Sequence, residues 1–160
     1  MDINTVRKSL AILQARISSK RLPGKVLMSV NSKPLLLWQI QRIKKCNKID
    51  LLVVATSVEK SDDELARLIE SENLKVVRGS LENVLSRFVD VAEKFPDYDT
   101  IIRLTGDCPL FMPELCDSML NKFNSSDLDY LSNTISPSYP DGCDIEIFTR
   151  DALMEVNSLA

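Results

Sequence analysis

Histidine is absent from the 160-residue chain, and its absence removes several classes of mechanism. Without histidine there can be no Ser–His–Asp triad, no Cys–His nucleophile pair and no histidine ligand for a metal. Chemistry would have to rely on carboxylates, lysine, arginine, hydroxyls, backbone amides and a hard metal ion. That set suits phosphate chemistry, in which positioning and charge neutralisation supply most of the catalysis.

Two further absences bear on where the protein works. No cysteine pair has C-x-x-C spacing, so we expect reduced, structural thiols at Cys46, Cys108, Cys116 and Cys143. No apolar run approaches the length of a membrane span, and the N-terminus lacks the apolar core of a secretory signal. We therefore expect a cytoplasmic protein that does not bind a membrane.

Acidic residues are missing from most of the first third of the chain. Between Asp2 and Asp50 there is no Asp or Glu, whereas the same stretch holds 11 of the 20 Lys and Arg. Nucleic acid is not the expected partner, because the whole chain has a net charge of −3 and no aromatic residue interleaves the most basic segment.

Short apolar runs alternate with helical patterns, which indicates βαβ units. The runs are aliphatic without strict alternation, as in buried parallel strands, over residues 9–14, 51–56, 74–79 and 100–106. Helices are predicted over residues 34–46, 62–71 and 81–95, with Ser61 capping the second, and another begins at Met112-Pro113. Residues 127–134 and 143–149 indicate two more strands. We predict a three-layer α/β/α domain over residues 1–160, with a mostly parallel, Rossmann-like sheet.

The loop after the first predicted strand gathers positive charge. Its sequence, LQARISSKRLPGK, carries four cations and no acid, and Arg16 and Lys25 bracket its small residues and its Pro-Gly turn. Amides and cations at the carboxyl edge of a sheet form an anion cradle that suits a polyphosphate. The loop matches neither a Walker A motif nor a G-x-G-x-x-G fingerprint. A solvated basic loop with a routine turn is the structural alternative.

Three stretches resemble the cytidylyltransferase family that activates acidic sugars. They are ILQARISSKRLPGKVL, RLTGDCPL and YPDGCDIEIF, and they are most similar to its spore-coat polysaccharide branch. The family also includes 3-deoxy-manno-octulosonate and acylneuraminate cytidylyltransferases. The resemblance implies a nucleotidyltransferase-like fold. It also implies a reaction in which CTP and the hydroxyl of an acidic sugar give a CMP-sugar and pyrophosphate for surface or spore-coat polysaccharide.

The resemblance also assigns the nucleotide to particular positions. It implies that Arg16 and Lys25 hold the triphosphate and stabilise the charge on the departing pyrophosphate. Backbone groups before Arg16 and the turn after the second strand would surround the cytosine and ribose. The predicted nucleotide-binding residues are Leu13, Gln14, Ala15, Arg16, Ser18, Lys25, Ala55, Thr56, Ser57 and Arg78.

Asp107 is the candidate ligand for Mg²⁺. It follows a predicted buried strand, so its carboxylate is expected at the carboxyl end, facing the phosphates. Mg²⁺ prefers one or two carboxylates together with phosphate oxygens. Arg16, Lys25 and Asp107 are therefore the predicted catalytic set, although a turn or cap role is the alternative for a lone Asp before Cys-Pro.

The predicted substrate residues lie in the later part of the chain. Arg103 is a charge inside an apolar strand and needs either a ligand anion or an ion pair with Asp144 or Glu146. Tyr139 would form an apolar platform for a sugar, and Asp141 and Asp144 would accept from its hydroxyls. The whole set is Arg87, Arg103, Tyr139, Asp141, Asp144 and Glu146.

The chain departs from the family in its length. Family members continue well past Ala160, and the resemblance implies that the missing part supplies dimer contacts and a late aspartate that shares the metal. We therefore expect one nucleotidyltransferase domain without the C-terminal part of the family, and a homodimer is one expected assembly. Two alternatives remain open: a CTP-binding module without catalysis, and a related nucleotidyltransferase that uses another base, such as UTP or GTP. The second is disfavoured because Gln14-Ala15-Arg16 stands where a Gly-rich loop is usual.

Overall fold

A computed structural model describes residues 7–19, 21–137 and 139–160, so Lys20 of the basic loop lies outside the described part. Its elements are β1 (Ser9–Gln14), β2 (Ser29–Val30), β3 (Lys33–Pro34), α1 (Leu35–Ile43), β4 (Leu51–Ser57), α2 (Asp63–Ser71), β5 (Lys75–Gly79), α3 (Val84–Lys94), β6 (Thr100–Thr105), α4 (Pro113–Asn124), β7 (Tyr130–Ser132), β8 (Glu146–Thr149) and α5 (Arg150–Leu159).

Six of these strands form one sheet in the order β5-β4-β1-β6-β8-β7. The first four are parallel, whereas β8 runs antiparallel to β6 and β7 antiparallel to β8. β1 is central because both of its neighbours pair with it along nearly its whole length. The predicted mostly parallel sheet is confirmed, and β2 and β3 form a separate hairpin.

Helices cover both faces of the sheet. Ala11 and Leu13 of β1 belong to a core shared with α1, α2 and α4, whereas Leu10 and Ile12 belong to a core shared with α3 and α5. The two cores follow from the strand period of two, which sends successive side chains to opposite faces. The predicted three-layer arrangement is confirmed.

The predicted cap of α2 is wrong. A short 3₁₀ turn (Lys60–Asp62) precedes the helix, so Asp62 stands at the N-cap position and Ser61 is exposed within the turn. The Asp62 side chain caps nothing either, because its carboxylate accepts hydrogen bonds from Ile17 and Ser57 instead. Of the helices that the structure describes, none is long and apolar enough to cross a membrane.

Backbone hydrogen bonds join the strands beyond their carboxyl ends. The Ala15 amide donates to the Ala55 carbonyl at 3.1 Å, and the Gly106 amide donates to the Gln14 carbonyl at 2.8 Å. The Val58 amide donates to the Gly79 carbonyl at 2.9 Å. The loops after β1, β4, β5 and β6 are therefore held side by side at one edge of the sheet.

Candidate functional site

A cleft of about 310 Å³ opens at the carboxyl ends of β1 and β6. Its described lining carries four positive charges and one negative charge, from Arg16, Arg21, Lys25, Arg103 and Asp107. Uncharged lining comes from Gln14, Ala15, Ser19, Val26, Thr105 and Gly106. The cleft is suited to an anion, because a cavity lined by one sign of charge concentrates ligands of the opposite sign.

The basic loop after β1 folds back on itself. The amides of Ser19 and Gly24 both donate to the Ile17 carbonyl, at 2.8 and 2.9 Å. Gly24 adopts a left-handed backbone with φ of 74°, which glycine allows without the steric cost of a Cβ. The turn that results places Lys25 on the same cleft as Arg16, nine positions earlier in the sequence.

Lys25 and Asp107 form an ion pair in the cleft, with 2.5 Å between Nζ and Oδ2. Burial raises the pKa of Asp107, but hydrogen bonds from Lys25 and Thr105 and the Lys25 charge outweigh it, so that the pKa lies below its ordinary value. The carboxylate is thus ionised at neutral pH and 38% exposed. Lys25, which is predicted to bind phosphate, therefore contacts Asp107, which is predicted to bind the metal.

Helix α1 supports the loop that carries Asp107. Gln39 donates through Nε2 to the Thr105 carbonyl at 2.8 Å, and Arg42 donates through Nε to the Phe111 carbonyl at 2.5 Å. Gly106 lies so close to β1 that an added Cβ would stand 2.9 Å from the Ala15 Cβ. The position of Asp107 therefore follows from packing between α1, β1 and β6.

Several buried polar atoms near the cleft have no hydrogen-bond partner among the described residues. They are Gln14 Oε1, Ser18 Oγ, Thr56 Oγ1, and Nε and Nη2 of Arg87. Gln14 is the one of these residues that lines the cleft, so its oxygen is available there to a ligand or to ordered water.

The structure brings six of the predicted site residues to the cleft lining: Gln14, Ala15, Arg16, Lys25, Arg103 and Asp107. Leu13, Ala55, Thr56 and Ser57 are buried behind it, and Ser18 is partly exposed in the loop. The Ala15 amide donates to the Ala55 carbonyl, and contact of this part of the chain with cytosine and ribose stays a prediction.

Arg78 braces the loop after β4. Its guanidinium donates to the carbonyls of Ser57 and Glu59, at 2.9 and 3.0 Å, and pairs with Asp63 at 2.7 Å. It does not line the cleft. All of its observed partners hold the protein's own loop together, so the structure places it in a supporting position; contact with a nucleotide stays a prediction.

Arg87 is 1% exposed and does not line the cleft, and its contact with a substrate stays a prediction. Its Nη1 donates to the Ser80 carbonyl at 2.8 Å. Burial lowers the pKa of Arg87, the charge of Arg16 lowers it further, and the charge of Asp62 raises it.

Arg103 forms an internal ion pair, one of its two predicted roles, and it also lines the cleft, so its contact with a ligand anion stays a prediction. Arg103 Nη1 lies 2.6 Å from Glu146 Oε1, on the antiparallel pair formed by β6 and β8. Tyr139, Asp141 and Asp144 are exposed and outside the cleft lining, so the structure does not bring them to it.

A metal would meet few protein ligands here. The described residues contain no group of three or more His, Cys, Asp or Glu arranged to hold an ion. Burial raises the pKa of Cys108, the hydrogen bond with Thr105 lowers it, and the charges of Asp107 and Asp144 raise it further.

Sequence reasoning missed Asp62, which is fully buried and joins the loop after β1 to the end of β4. It also missed Arg21, Ser19 and Thr105 in the cleft lining. Position in the basic loop was an available signal for Arg21 and Ser19, but no local pattern indicates the role of Asp62.

The sheet and its cleft define an α/β protein with a nucleotidyltransferase-like fold, and solved structures share it. A cytidylyltransferase from Leptospira borgpetersenii serovar Hardjo-bovis matches with a TM-score of 0.90 and 32% identity, over 96% of this chain and 65% of that one. A CMP:2-keto-3-deoxy-manno-octonic acid synthetase complexed with CTP has a TM-score of 0.77 at 21% identity, over 96% and 78%. A Mycobacterium tuberculosis protein in complex with manganese has a TM-score of 0.68 at 17% identity, over 94% and 75%. The last two likenesses concern the fold alone.

The chain belongs to the cytidylyltransferase family, whose family model matches residues 10–154. A protein of Methanocaldococcus jannaschii is 40% identical over 148 residues, which are 91% of this chain and 58% of that protein. The spore coat polysaccharide biosynthesis protein SpsF of Bacillus subtilis is 38% identical over 156 residues, 94% and 62%. The 3-deoxy-manno-octulosonate cytidylyltransferase of Fusobacterium nucleatum is 35% identical over 119 residues, 74% and 47%. The chain thus spans between 47% and 62% of the length of these relatives, and the family resemblance is confirmed.

Proposed function

We propose that the protein transfers CMP from CTP to a sugar hydroxyl and releases pyrophosphate. A hydroxyl oxygen of the sugar forms a bond to the α-phosphorus of CTP, and the bond from that phosphorus to the α–β bridging oxygen breaks. The hydroxyl proton is lost, and pyrophosphate departs with the bonding electrons. Membership of the cytidylyltransferase family supports the nucleotide and the reaction class.

One observation carries the proposal: the cleft at the carboxyl edge sets four cations around a single ionised carboxylate. In such a site the cations stabilise the charge that develops on the phosphates, which is where phosphoryl-type transfer gains most of its rate. Arg16 and Lys25 would hold the triphosphate, and their charges would stabilise the departing pyrophosphate.

The donor set suits a divalent metal such as Mg²⁺. Asp107 is ionised, partly exposed and directed into the cleft, as a ligand shared with phosphate oxygens must be. When bound, the ion would offset negative charge at the α-phosphate. Asp107 would be the protein ligand of the ion, and the ion would replace Lys25 as the positive charge paired with this carboxylate.

The acceptor is proposed to be an acidic sugar used for surface or spore-coat polysaccharide. Support comes from the relatives, one of which is named for spore coat polysaccharide biosynthesis and another for 3-deoxy-manno-octulosonate. Arg103 lines the cleft and offers a positive charge to a sugar carboxylate, with Glu146 paired behind it. To contact the sugar as predicted, the loop that carries Tyr139, Asp141 and Asp144 would have to move towards the cleft.

A CTP-binding module without turnover is the second candidate. The observation in its favour is that Asp107 is the one carboxylate in the described lining of the cleft. A single carboxylate supports phosphate-bound Mg²⁺ but leaves fewer fixed ligands to orient it during transfer.

Pyrophosphate release distinguishes the two candidates. The protein is incubated with CTP, Mg²⁺ and a panel of acidic sugars that includes 3-deoxy-manno-octulosonate and N-acetylneuraminate. We expect release that depends on one sugar, that is lost in Arg16→Ala and that is retained in Lys44→Ala, which removes an exposed cation outside the cleft. Binding of CTP without release, with every sugar tested, would favour the module.

A further inference from the structure

Asp62 is a buried carboxylate that connects two loops of the candidate site. Its exposed fraction is 0%, and its Oδ1 accepts the Ile17 amide at 2.7 Å. Its Oδ2 accepts the Ser57 amide at 3.2 Å and the Ser57 hydroxyl. Ile17 and Asp62 are 45 positions apart, so the contact is a tertiary tie and not a local turn.

The tie acts on the residue next to Arg16. A hydrogen bond to the Ile17 amide fixes the peptide plane that joins Arg16 to Ile17, and with it the direction in which the Arg16 side chain leaves the backbone. The Ile17 carbonyl, in turn, accepts the amides of Ser19 and Gly24, which close the turn that presents Lys25. Asp62 is therefore connected through Ile17 both to Arg16 and to the turn that carries Lys25.

Burying a carboxylate is costly unless it is hydrogen-bonded and its charge is offset. Asp62 has backbone and hydroxyl donors, and the Arg87 guanidinium, itself 1% exposed, lies close enough for their charges to interact. Arg87 also feels the charge of Arg16. The charges of Asp62 and Arg16 therefore act on Arg87 in opposite directions.

We propose that Asp62 is a positioning residue for nucleotide binding, which orients Arg16 towards the triphosphate by holding the Ile17 amide against the end of β4. The inference rests on the proposed function, since it assumes that Arg16 contacts phosphate. Asp62 itself touches no ligand and would act through Arg16, by preorganising the loop before the nucleotide arrives.

A double-mutant cycle tests this role. Asp62→Asn keeps the shape but removes the charge and leaves one acceptor oxygen, so the side chain can accept from the Ile17 amide or from the Ser57 amide but not from both, which weakens the tie between the two loops. The matched control is Glu64→Gln, an exposed carboxylate of α2 two positions away. Calorimetry measures the Kd of CTP with Mg²⁺ for the parent, both variants, Arg16→Ala and the Asp62→Asn/Arg16→Ala pair. Each is measured well below its own melting temperature.

We expect Asp62→Asn to raise the Kd about tenfold or more, which is the effect of losing hydrogen bonds to a charged group, while Glu64→Gln changes it less than about twofold. In the Arg16→Ala background, Asp62→Asn should add less than about twofold, because residues that act through one another are not additive. A merely structural carboxylate would lower affinity by the same factor in both backgrounds, and that result would overturn the proposal. An unchanged Kd in folded Asp62→Asn would overturn it too.

Two further outcomes are separable. If the parent does not bind CTP, the proposed function fails before the cycle begins. If Asp62→Asn does not fold, Ser57→Ala replaces it, since this change keeps the buried charge and removes one of its donors. A loss of CTP affinity that disappears in the Arg16→Ala background supports the tie, and a loss that persists there, or no loss, contradicts it.

Discussion

Lys25 and Asp107 oppose each other at 2.5 Å in a cleft where we expect phosphate and a metal. If the proposed roles hold, a bound triphosphate would offer phosphate oxygens to Lys25 and an ion to Asp107, and the pair would separate because each member acquires a stronger partner. In the free protein each residue offsets the charge of the other. The pair thus keeps the cleft ordered without a ligand. Removing the Asp107 charge tests whether it opposes or favours CTP binding.

Asp107→Asn should change CTP binding in opposite directions with and without metal. Without Mg²⁺ the variant should bind CTP about three- to tenfold more tightly, because a negative charge near the phosphates is lost. With Mg²⁺ the enhancement seen in the parent should largely disappear. Calorimetric titrations in EDTA and in Mg²⁺ measure both effects, and Asp117→Asn, which lies away from the cleft, is the control. Weaker binding in EDTA would contradict the account.

The depressed pKa of Asp107 predicts a pH dependence of stability. A carboxyl group whose pKa is lower in the folded state stabilises the fold above its unfolded value, here 3.8, and loses that contribution as the pH falls through the folded value. The stability difference between the parent and Asp107→Asn should therefore be constant from about pH 5 to 8 and shrink in stronger acid. Urea unfolding at a series of pH values measures it. A difference that begins to shrink near neutral pH would show that the pKa is not lowered.

Among the elements, α1 and the loop after β6 depend on each other. Gln39 and Arg42 hold the carbonyls on either side of Asp107, and Gly106 permits the loop to lie against β1. An added Cβ at Gly106 would also meet the Gln14 carbonyl at 3.1 Å and Leu36 at 3.2 Å, so backbone and core both resist it.

Gly106→Ala should destabilise the fold by about 1–3 kcal/mol, the usual cost of overpacking a well-packed core. The loop should move away from β1, so CTP affinity should fall together with stability. Chemical denaturation and calorimetry measure the two quantities, with Ser118→Ala on the exposed face of α4 as the control. A Gly106→Ala variant as stable as the parent would show that the close contact is easily relieved.

Element types were predictable, and their bounds less so. The apolar run at residues 9–14 coincides with β1, because a strand buried on both faces is apolar until it reaches its carboxyl end, where the site begins. The helix predicted over residues 34–46 ends earlier, at Ile43, and the chain that follows it is held by Asp117 of α4, which accepts the amides of Asn47 and Lys48. Asn47 and Asp117 are 70 positions apart, and helical periodicity does not register such a contact.

At the scale of the whole molecule, the uneven charge pattern of the sequence becomes a property of one edge of the sheet. Arg16, Arg21 and Lys25 come from the acid-free segment, and Asp107 and Arg103 arrive from β6 and its loop. The basic loop could be predicted because its residues are adjacent in sequence. The tie from Asp62, the engagement of Arg78 and the burial of Arg87 could not, because each follows from packing between loops that are distant in sequence. The homodimer stays a prediction.

Calorimetric titration of the protein with CTP in Mg²⁺, with UTP, GTP and ATP as controls, tests whether the cleft binds CTP through Arg16 and Lys25. We expect selective binding of CTP, weakened in Arg16→Ala and Lys25→Ala by about 1.5–3 kcal/mol each, which is the usual contribution of a charge-assisted hydrogen bond. Failure of the parent to bind any of the four nucleotides, or equal binding of CTP by the parent and both variants, would contradict it.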